Sequence, residues 1–205
     1  MRTLLLRCTL LLALGCAPAA QAAPASAASR LSDDAQQMVD WVRQAHDNAG
    51  LPFALVDKKA AMLYLFGADG QLRAAAAALL GAAPGDSGAP DLNQRDLSQL
   101  AWHERTTPAG RFEARPGHNL QGEPVVWIDY GAALAIHRLR PGPARERRAE
   151  RLRSATPADN KISLGCVVVP VAFYLEQVQP LLGAGRSVVY VLPETRALQE
   201  VFGWQ

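Results

Sequence analysis

The chain has 205 residues, of which 49% are hydrophobic, which is enough for one domain with a substantial core. Its 21 basic and 19 acidic residues give a formal net charge of +2, so the balance of charge does not indicate nucleic-acid binding. Beyond the N-terminus there is no long uncharged apolar run, and the sequence therefore predicts no transmembrane helix in the mature chain.

The first 22 residues have the composition of an export signal: two arginines, an apolar stretch, then small residues. The sequence Ala20-Gln21-Ala22 predicts a cleavage that leaves Ala23 at the new N-terminus. An alternative is lipid attachment at Cys16, because the residues before it resemble a lipobox in which alanine replaces the usual leucine. Residues 1–22 are therefore interpreted as the signal peptide of a periplasmic protein.

A leader and an amphipathic helix are predicted over residues 23–50. Ser32 is a suitable N-cap, and Gly50 is a suitable stop. The apolar spacing predicts one buried stripe on this helix, made of Ala35, Met38, Val39, Val42 and Ala45. His46 is interpreted as a surface or boundary residue and not as a ligand.

Short β-strands dominate the prediction for residues 51–205. The predicted strands cover 53–57, 62–66, 111–114, 124–130, 132–136, 166–169 and 187–192. An Asp-Gly pair at 69–70 predicts a hairpin, and the alanine-rich run 72–80 is interpreted as a strand although alanine favours helix. Residues 81–100 predict a long surface loop, which is often functional, and 170–183 predict a helix. The face of that helix expected to be buried holds Val171, Tyr174, Leu175, Val178, Leu181 and Leu182.

An arginine-rich insert, residues 138–161, follows the strand that ends at His137. It holds seven arginines up to position 153, with Glu146 and Glu150 among them, and residues 143–153 predict a charged helix. One interpretation is a solvated surface helix with Glu–Arg pairs. The other is a lid whose arginines bind the carboxylates of an anionic ligand.

Cys166 is the one cysteine left after removal of the predicted signal peptide. Cysteines outside the cytoplasm normally pair, so a single thiol there indicates a reactive nucleophile or a liability. Ser163 and Gly165 favour the nucleophile. Gly165 allows the backbone to turn tightly before the sulfur, and such a turn can direct backbone N–H groups at an oxyanion.

A thiol nucleophile works as its thiolate, so its pKa must be lowered by a nearby histidine or a positive dipole. His137 is the preferred partner among the four histidines, because it ends an apolar strand and so sits on a fixed scaffold. His103 and His118 lie in loop-like sequence. Metal-ligand spacings, glycine-rich phosphate loops and a Gly-x-Ser-x-Gly elbow do not occur in the sequence, which predicts neither a cofactor nor a metal.

These motifs resemble the L,D-transpeptidase catalytic domain family (the YkuD-like family), whose signature is a histidine followed, after a stretch, by Ser/Thr-His-Gly-Cys. The matching residues are His137 and Ser163-Leu164-Gly165-Cys166. Residues 105–112 are similar to the family's Thr-Pro-x-Gly-x-Phe turn and strand. The resemblance covers roughly residues 52–193 and implies a mainly β fold with a few helices: an L,D-transpeptidase-like β-sandwich preceded by an N-terminal helix.

By this resemblance, the substrates are peptidoglycan stem peptides, and the reaction is part of cell-wall biosynthesis and of the control of cell shape. Cys166 would attack the carbonyl of the third stem residue, expel the terminal D-alanine and form a thioester, which an amine on another stem or on a protein then takes up. His137 would accept the thiol proton, and the backbone carbonyl of Arg138 would orient its ring. N–H groups of Gly165 and Cys166 would hold the oxyanion, and Ser163 would support the turn.

The sequence departs from the family pattern at three places. Leu164 stands where the motif has histidine, Val168 stands where arginine or asparagine is usual, and the segment between the motif histidine and serine is longer. Loss of one oxyanion donor typically costs about 100- to 1,000-fold in rate. Beside an exported cysteine acyltransferase, two alternatives therefore stay open: a carboxypeptidase- or amidase-type hydrolase on the same fold, and a non-catalytic wall-binding module.

Overall fold

The computed structural model describes residues 30–89 and 92–204 of the chain. The signal peptide predicted over residues 1–22, its cleavage before Ala23 and the alternative lipid attachment at Cys16 lie outside the described residues. These three remain predictions, as do the domain boundaries drawn from the sequence.

Within the described residues, ten β-strands make up most of the regular structure. Their bounds are β1 Phe53–Asp57, β2 Met62–Phe66, β3 Leu72–Ala77, β4 Leu80–Gly81, β5 Gly110–His118, β6 Pro124–Asp129, β7 Leu134–Arg138, β8 Lys161–Ser163, β9 Val167–Val169 and β10 Ser187–Val191. The strands predicted at 53–57 and 62–66 have the bounds expected. The alanine-rich run is extended, as interpreted, because pairing with β2 and β8 overrides the helix propensity of alanine.

One large sheet organises the molecule, with eight strands in the order β3-β2-β1-β10-β5-β6-β7-β9. Strand β5 links two halves of this sheet, since residues 110–114 pair with β10 and residues 115–118 pair with β6. Strands β7 and β9 run parallel, as do β1 and β10. Strands β4 and β8 form a separate pair.

A buried cluster takes residues from both halves of the large sheet, among them Val56, Leu65, Val126 and Ile136. The sheet therefore wraps around a shared core. A second cluster lies on the opposite face of β1 and β10, where helix α1 (Asp33–Ala45) packs. The predicted fold class is confirmed: the chain is mainly β, with a few helices and an N-terminal helix before the first strand.

Helix α1 begins as its sequence predicts. Ser32 is the N-cap, and its Oγ accepts a hydrogen bond of 3.1 Å from the backbone N–H of Ala35. The predicted end is wrong, because the helix stops at Ala45, where His46 adopts a left-handed φ of 52°. As a result Ala45 is exposed, while the other four residues of the predicted stripe are buried. His46 is exposed, as interpreted.

Several predictions for the second half of the chain need correction. The continuous charged helix predicted over 143–153 is replaced by a 3-10 turn, Ala144–Glu146, and a single helical turn, α2, Arg148–Arg151. Strand β8 and helix α5, Leu198–Phe202, were not predicted. Leu198 of that helix is buried in the cluster that also packs α1.

The helix predicted over 170–183 is present, but it is not uniform. It begins as α3, Val171–Phe173, widens into a π-helix over Tyr174–Val178 and ends as α4, Gln179–Leu181. Such widened turns occur mostly as single insertions within an α-helix. Val171, at the first position of α3, and Leu175, within the π-helix, were both predicted to be buried and are exposed.

A buried ion pair fixes the start of the long loop that follows β4. Nζ of Lys58 lies 2.7 Å from Oδ1 of Asp86, and both side chains are 1% exposed. The Asp86 carboxylate also accepts backbone N–H groups of Glu194, Thr195 and Arg196. These partners hold the pKa of Asp86 well below its usual range although burial opposes ionisation. The loop predicted over 81–100 is therefore anchored at its first residues.

Candidate active site

Cys166 lies in the connection between β8 and β9, directly before β9 begins. Among the described residues it is the one cysteine, and its thiol is free. Gly165 has a φ of 141°, and a Cβ placed there would lie 2.9 Å from the carbonyl oxygen of Thr106. Backbone conformation and space therefore both require glycine before the sulfur.

The Ser163 hydroxyl closes this turn from within. Its Oγ donates to the carbonyl oxygen of Cys166 at 2.7 Å and accepts from the N–H of Gly165 at 3.1 Å. The Gly165 N–H, which was predicted to hold the oxyanion, donates to the serine in this structure, and its role toward an oxyanion stays a prediction. The N–H of Cys166 remains the candidate oxyanion donor in this turn.

A second hydroxyl supports the turn from outside. Oγ1 of Thr107 donates to the carbonyl oxygen of Gly165 at 2.7 Å and accepts from the N–H of Gly81 at 2.9 Å. The carbonyl oxygen of Thr107 accepts from Nζ of the buried Lys58 at 2.9 Å. The cysteine turn, the loop after β4 and the buried ion pair thus form one connected network.

His137 is carried by β7, which runs parallel to β9. Ile136 pairs with Val167 and His137 pairs with Val168. Ile136 and Val167 both face the shared core, so their neighbours His137 and Cys166 lie toward the opposite face of the sheet. The register thus brings the imidazole and the thiol to one face, on adjacent strands.

The imidazole of His137 is held in one tautomer. Its Nδ1 lies 2.8 Å from the carbonyl oxygen of Arg138, which can only accept, so Nδ1 carries the proton and Nε2 is an acceptor. Burial lowers the pKa of His137 to about 4; the Arg138 carbonyl opposes this shift, and the charge of Arg140 adds to it. The ring is therefore a neutral base at neutral pH.

The Cys166 thiol is protonated in the resting site. Burial raises its pKa, against the smaller effects of a hydrogen bond from the backbone of Ala135 and the charge of Arg140. Sγ donates to the carbonyl oxygen of Ala133 at 3.4 Å. Among the described residues no hydrogen bond joins Cys166 to His137. The resting pair is therefore a neutral thiol beside a neutral imidazole, not a preformed ion pair.

Two cavities meet at these residues, with volumes of about 300 Å³ and 740 Å³. The smaller is bordered by the cysteine turn, with Leu164 and Gly165 in its wall, and by Thr106 and Arg148. The larger extends along β6 and the hairpin after β5, past Trp127 and Tyr130. Six residues line both cavities: Leu92, Leu97, Ala133, His137, Arg140 and Cys166. The thiol is thus approached from two sides.

The long loop contributes to this junction. Leu92 and Leu97, both in the region predicted as a functional loop, border the two cavities together with Cys166. Leu92 is buried and Leu97 is half-buried, so the loop lies over the site instead of extending into solvent. Its position follows from its anchor at Asp86.

Arg140 is the one permanently charged residue among those that line both cavities. Its Nε lies 2.6 Å from Oε2 of Glu123, but the N–H does not point at that oxygen and makes no hydrogen bond. Glu123 also accepts from Arg138 at 2.5 Å, which lowers the pKa of Glu123. The carboxylate of Glu123 is therefore the ion-pair partner of both Arg138 and Arg140.

The remaining arginines of the insert are mostly satisfied by the insert itself. Arg147 pairs with Glu150, and Arg148 pairs with Glu146 at 2.5 Å. These are the surface Glu–Arg pairs of the simpler interpretation. The lid interpretation retains support at two positions, because Arg140 and Arg148 line the smaller cavity beside Cys166.

The other residues selected from the sequence are distributed around this centre. Leu164, at the motif histidine position, is exposed and borders the smaller cavity, where it supplies no hydrogen-bond donor. Arg138 contributes its carbonyl to the histidine, and its side chain turns to Glu123. His118 lines the far part of the larger cavity, while His103 is exposed and borders neither of the two.

Residues 30–89 and 92–204 contain no cluster of three or more His, Cys, Asp or Glu side chains arranged to hold a metal ion. In the same part of the chain, none of the helices has the length and apolar character needed to span a membrane.

Sequence reasoning missed the two supporting side chains that matter most here. Thr107 belongs to the quoted Thr-Pro-x-Gly-x-Phe turn, but nothing local indicates that its hydroxyl reaches Gly165, 58 residues away. Arg140 was one of seven arginines with no feature to separate it from the rest. A proline-glycine pair after it, Pro141-Gly142, ends the strand region and was the available signal that this arginine differs from those of the helix.

No family model matches the chain, and no curated protein matches it. Several solved structures are similar at low identity. The helical cell shape determining protein Pgp2 from Campylobacter jejuni is 15% identical, with a TM-score of 0.44, over 71% of this chain and 49% of that one. An L,D-transpeptidase from Xylanimonas cellulosilytica is 18% identical, with a TM-score of 0.42, over 69% and 60%. The catalytic domain of an E. faecium L,D-transpeptidase is 17% identical, with a TM-score of 0.35, over 68% and 95%. The chain thus spans about half of the first of these structures and 60% of the second.

Proposed function

We propose that the chain is an exported cysteine acyltransferase that acts on peptidoglycan stem peptides. The observation that carries the proposal is that two cavities meet at the free thiol of Cys166. The imidazole of His137 lines both cavities as well, and its Nε2 is a hydrogen-bond acceptor. A transfer reaction needs two substrates at one nucleophile, and two approaches to Cys166 suit an acyl donor and an amine acceptor. The motif resemblance supplies the substrate class.

The first half of the reaction forms a thioester. As Sγ of Cys166 attacks the carbonyl of the third stem residue, its proton passes to Nε2 of His137, and the oxyanion lies near the cysteine turn. When the tetrahedral species collapses, the C–N bond breaks and His137 returns the proton to the leaving D-alanine nitrogen. The products are the acyl-Cys166 thioester and free D-alanine.

The second half repeats these steps in reverse. An acceptor amine attacks the thioester, Nε2 of His137 takes its proton, and the C–S bond breaks to restore the thiol. Because the pKa of His137 is low and that of Cys166 is high, the proton moves only as the new bond forms, which suits a general base more than a preformed thiolate.

The departures from the motif bear on rate rather than on the type of reaction. Leu164 removes a side-chain donor beside the turn, and the Gly165 N–H is occupied by Ser163. Either loss leaves the oxyanion with fewer donors than the family pattern provides. We therefore expect a slow enzyme, with a rate reduced by about 100-fold or more relative to a site with the full donor set.

One observation favours a second candidate, the non-catalytic wall-binding module. The Cys166 proton is donated to Ala133, and burial raises the thiol pKa, so the resting sulfur is a weak nucleophile. This candidate predicts that the chain binds isolated cell-wall sacculi equally well before and after alkylation of Cys166, and that it releases no D-alanine.

The test is incubation of the purified protein with disaccharide-tetrapeptides, followed by mass analysis of protein and products. We expect a thioester adduct on Cys166, release of D-alanine and cross-linked dimers; Cys166→Ala and His137→Ala should form neither adduct nor dimer. Arg147→Gln, which removes an exposed arginine of the insert, is the matched control. Release of D-alanine by Cys166→Ala at the wild-type rate would contradict the proposal, and trimmed stems without dimers would indicate the hydrolase.

Export to the periplasm is part of the same proposal and has its own test. N-terminal sequencing of the protein recovered from the periplasm should begin at Ala23. Recovery in the membrane fraction that is abolished by Cys16→Ala would instead indicate the lipid-anchored alternative. Recovery of the full chain in the cytoplasm would contradict export.

A further inference from the structure

The guanidinium of Arg140 lies in the site, where it forms an ion pair of 2.6 Å with Glu123. It lines both cavities with Cys166 and His137, and its charge acts on both, favouring the thiolate and opposing the imidazolium. A cation that lines the same cavities as a nucleophile and its base is stabilised by an anion close by. Glu123 supplies that anion only in part, because Arg138 already donates to it and the Arg140 Nε–H makes no hydrogen bond to it.

A guanidinium with an unsatisfied buried donor is an incomplete site. Its planar fork matches a carboxylate better than any other common biological anion except phosphate. The cluster around Arg140 contains Arg138 and Arg148 against Glu123 and Glu146, so the local balance is one positive charge. A single additional carboxylate would neutralise it.

The geometry of the proposed donor places a carboxylate at this point. The leaving residue of the stem peptide carries its free α-carboxylate one residue beyond the carbonyl that Cys166 attacks, a separation of about 3.8 Å or less. With the carbonyl at Sγ, that carboxylate would fall within a few ångström of the sulfur, and Arg140 is the cation that lines both cavities with Cys166.

We infer that Arg140 is a specificity residue that binds the α-carboxylate of the acyl donor's leaving residue at the junction of the two cavities. The inference rests on the proposed function for the identity of the donor. A donor whose terminal carboxylate is masked should therefore be discriminated against.

The experiment compares a stem tetrapeptide with a free C-terminal carboxylate to the same peptide as its C-terminal carboxamide. In the Cys166→Ala protein, which carries out no chemistry, calorimetry should show about 10- to 100-fold tighter binding of the carboxylate form. Adding Arg140→Gln should reduce this ratio to within about threefold of one, chiefly by weakening binding of the carboxylate form. Arg140→Lys, which keeps the charge without the fork, should give an intermediate ratio.

Arg147→Gln in the same background is the matched control and should keep the full preference, because it removes an arginine of the same segment that borders neither cavity at Cys166. Equal binding of the two peptides by the Cys166→Ala protein, or an undiminished preference after Arg140→Gln, would overturn the inference. Failure of the proposed function looks different: the protein with Cys166 intact would form no thioester with either peptide, whatever the binding ratio.

Discussion

The most direct test of the structure concerns the hydroxyl of Thr107. The Thr107→Val substitution keeps the shape of the side chain and removes one donor and one acceptor. That hydroxyl satisfies the carbonyl oxygen of Gly165 and the N–H of Gly81 at 2.7 Å and 2.9 Å, and the residue is 2% exposed. Each of the two buried polar groups left without a partner costs about 1 to 3 kcal/mol, so the free energy of unfolding should fall by about 2 to 6 kcal/mol.

The assay is equilibrium unfolding in urea, monitored by two probes so that two-state behaviour is established before free energies are compared. Thr106→Val is the matched control, because the hydrogen bond from its hydroxyl to the carbonyl oxygen of His103 is long, at 3.5 Å. That change should cost less than about 1 kcal/mol. Thr107→Ser, which retains the hydroxyl, should also stay closer to wild type than valine does.

The same variant should change the chemistry of the site. Without the hydroxyl, the carbonyl oxygen of Gly165 loses its hydrogen bond from residue 107, so the cysteine turn is held less firmly. Cys166 should then be alkylated by iodoacetamide at a different rate from that of the wild-type protein. If Thr107→Val and Thr106→Val destabilise the protein equally, the hydroxyl bridge does not hold the cysteine turn and the reasoning fails.

Two further predictions test the turn and the base. Burial lowers the pKa of His137 to about 4, whereas the same residue in the unfolded chain takes up its proton near pH 6.5. The contribution of His137 to the free energy of unfolding should therefore be complete above pH 6.5. It should fall by up to about 3 kcal/mol as the pH is lowered toward 4. Urea unfolding of His137→Gln should lack this part of the decline; identical pH profiles would contradict a buried neutral imidazole. Gly165→Ala should destabilise the fold by about 2 kcal/mol or more, because its φ is 141° and a backbone oxygen would lie 2.9 Å from the new Cβ. Gly185→Ala, with nothing within 4 Å, should change the unfolding free energy by less than about 0.5 kcal/mol, and equal losses at both glycines would refute this argument.

The elements that could be predicted are those whose causes lie within a few residues. The alternation of apolar side chains is sufficient for β1 and β2, and the serine before two acids is sufficient for the start of α1. The end of α1 was misplaced because a histidine took the left-handed conformation that glycine was expected to provide. Helix α5 was missed because its stability comes from Leu198 packing in the α1 cluster, which no local pattern reveals.

By itself the sequence determined a chain of short strands, a cysteine behind a glycine turn and a histidine close to the end of a strand. The tertiary structure decided what surrounds them: which hydroxyl holds Gly165, which arginine borders the sulfur, and that the Gly165 N–H is already used. The physical reason is distance along the chain. Thr107 lies 58 residues from Gly165, and Asp86 lies 109 from Thr195, so these contacts exist only once the sheet order has brought their strands and loops together.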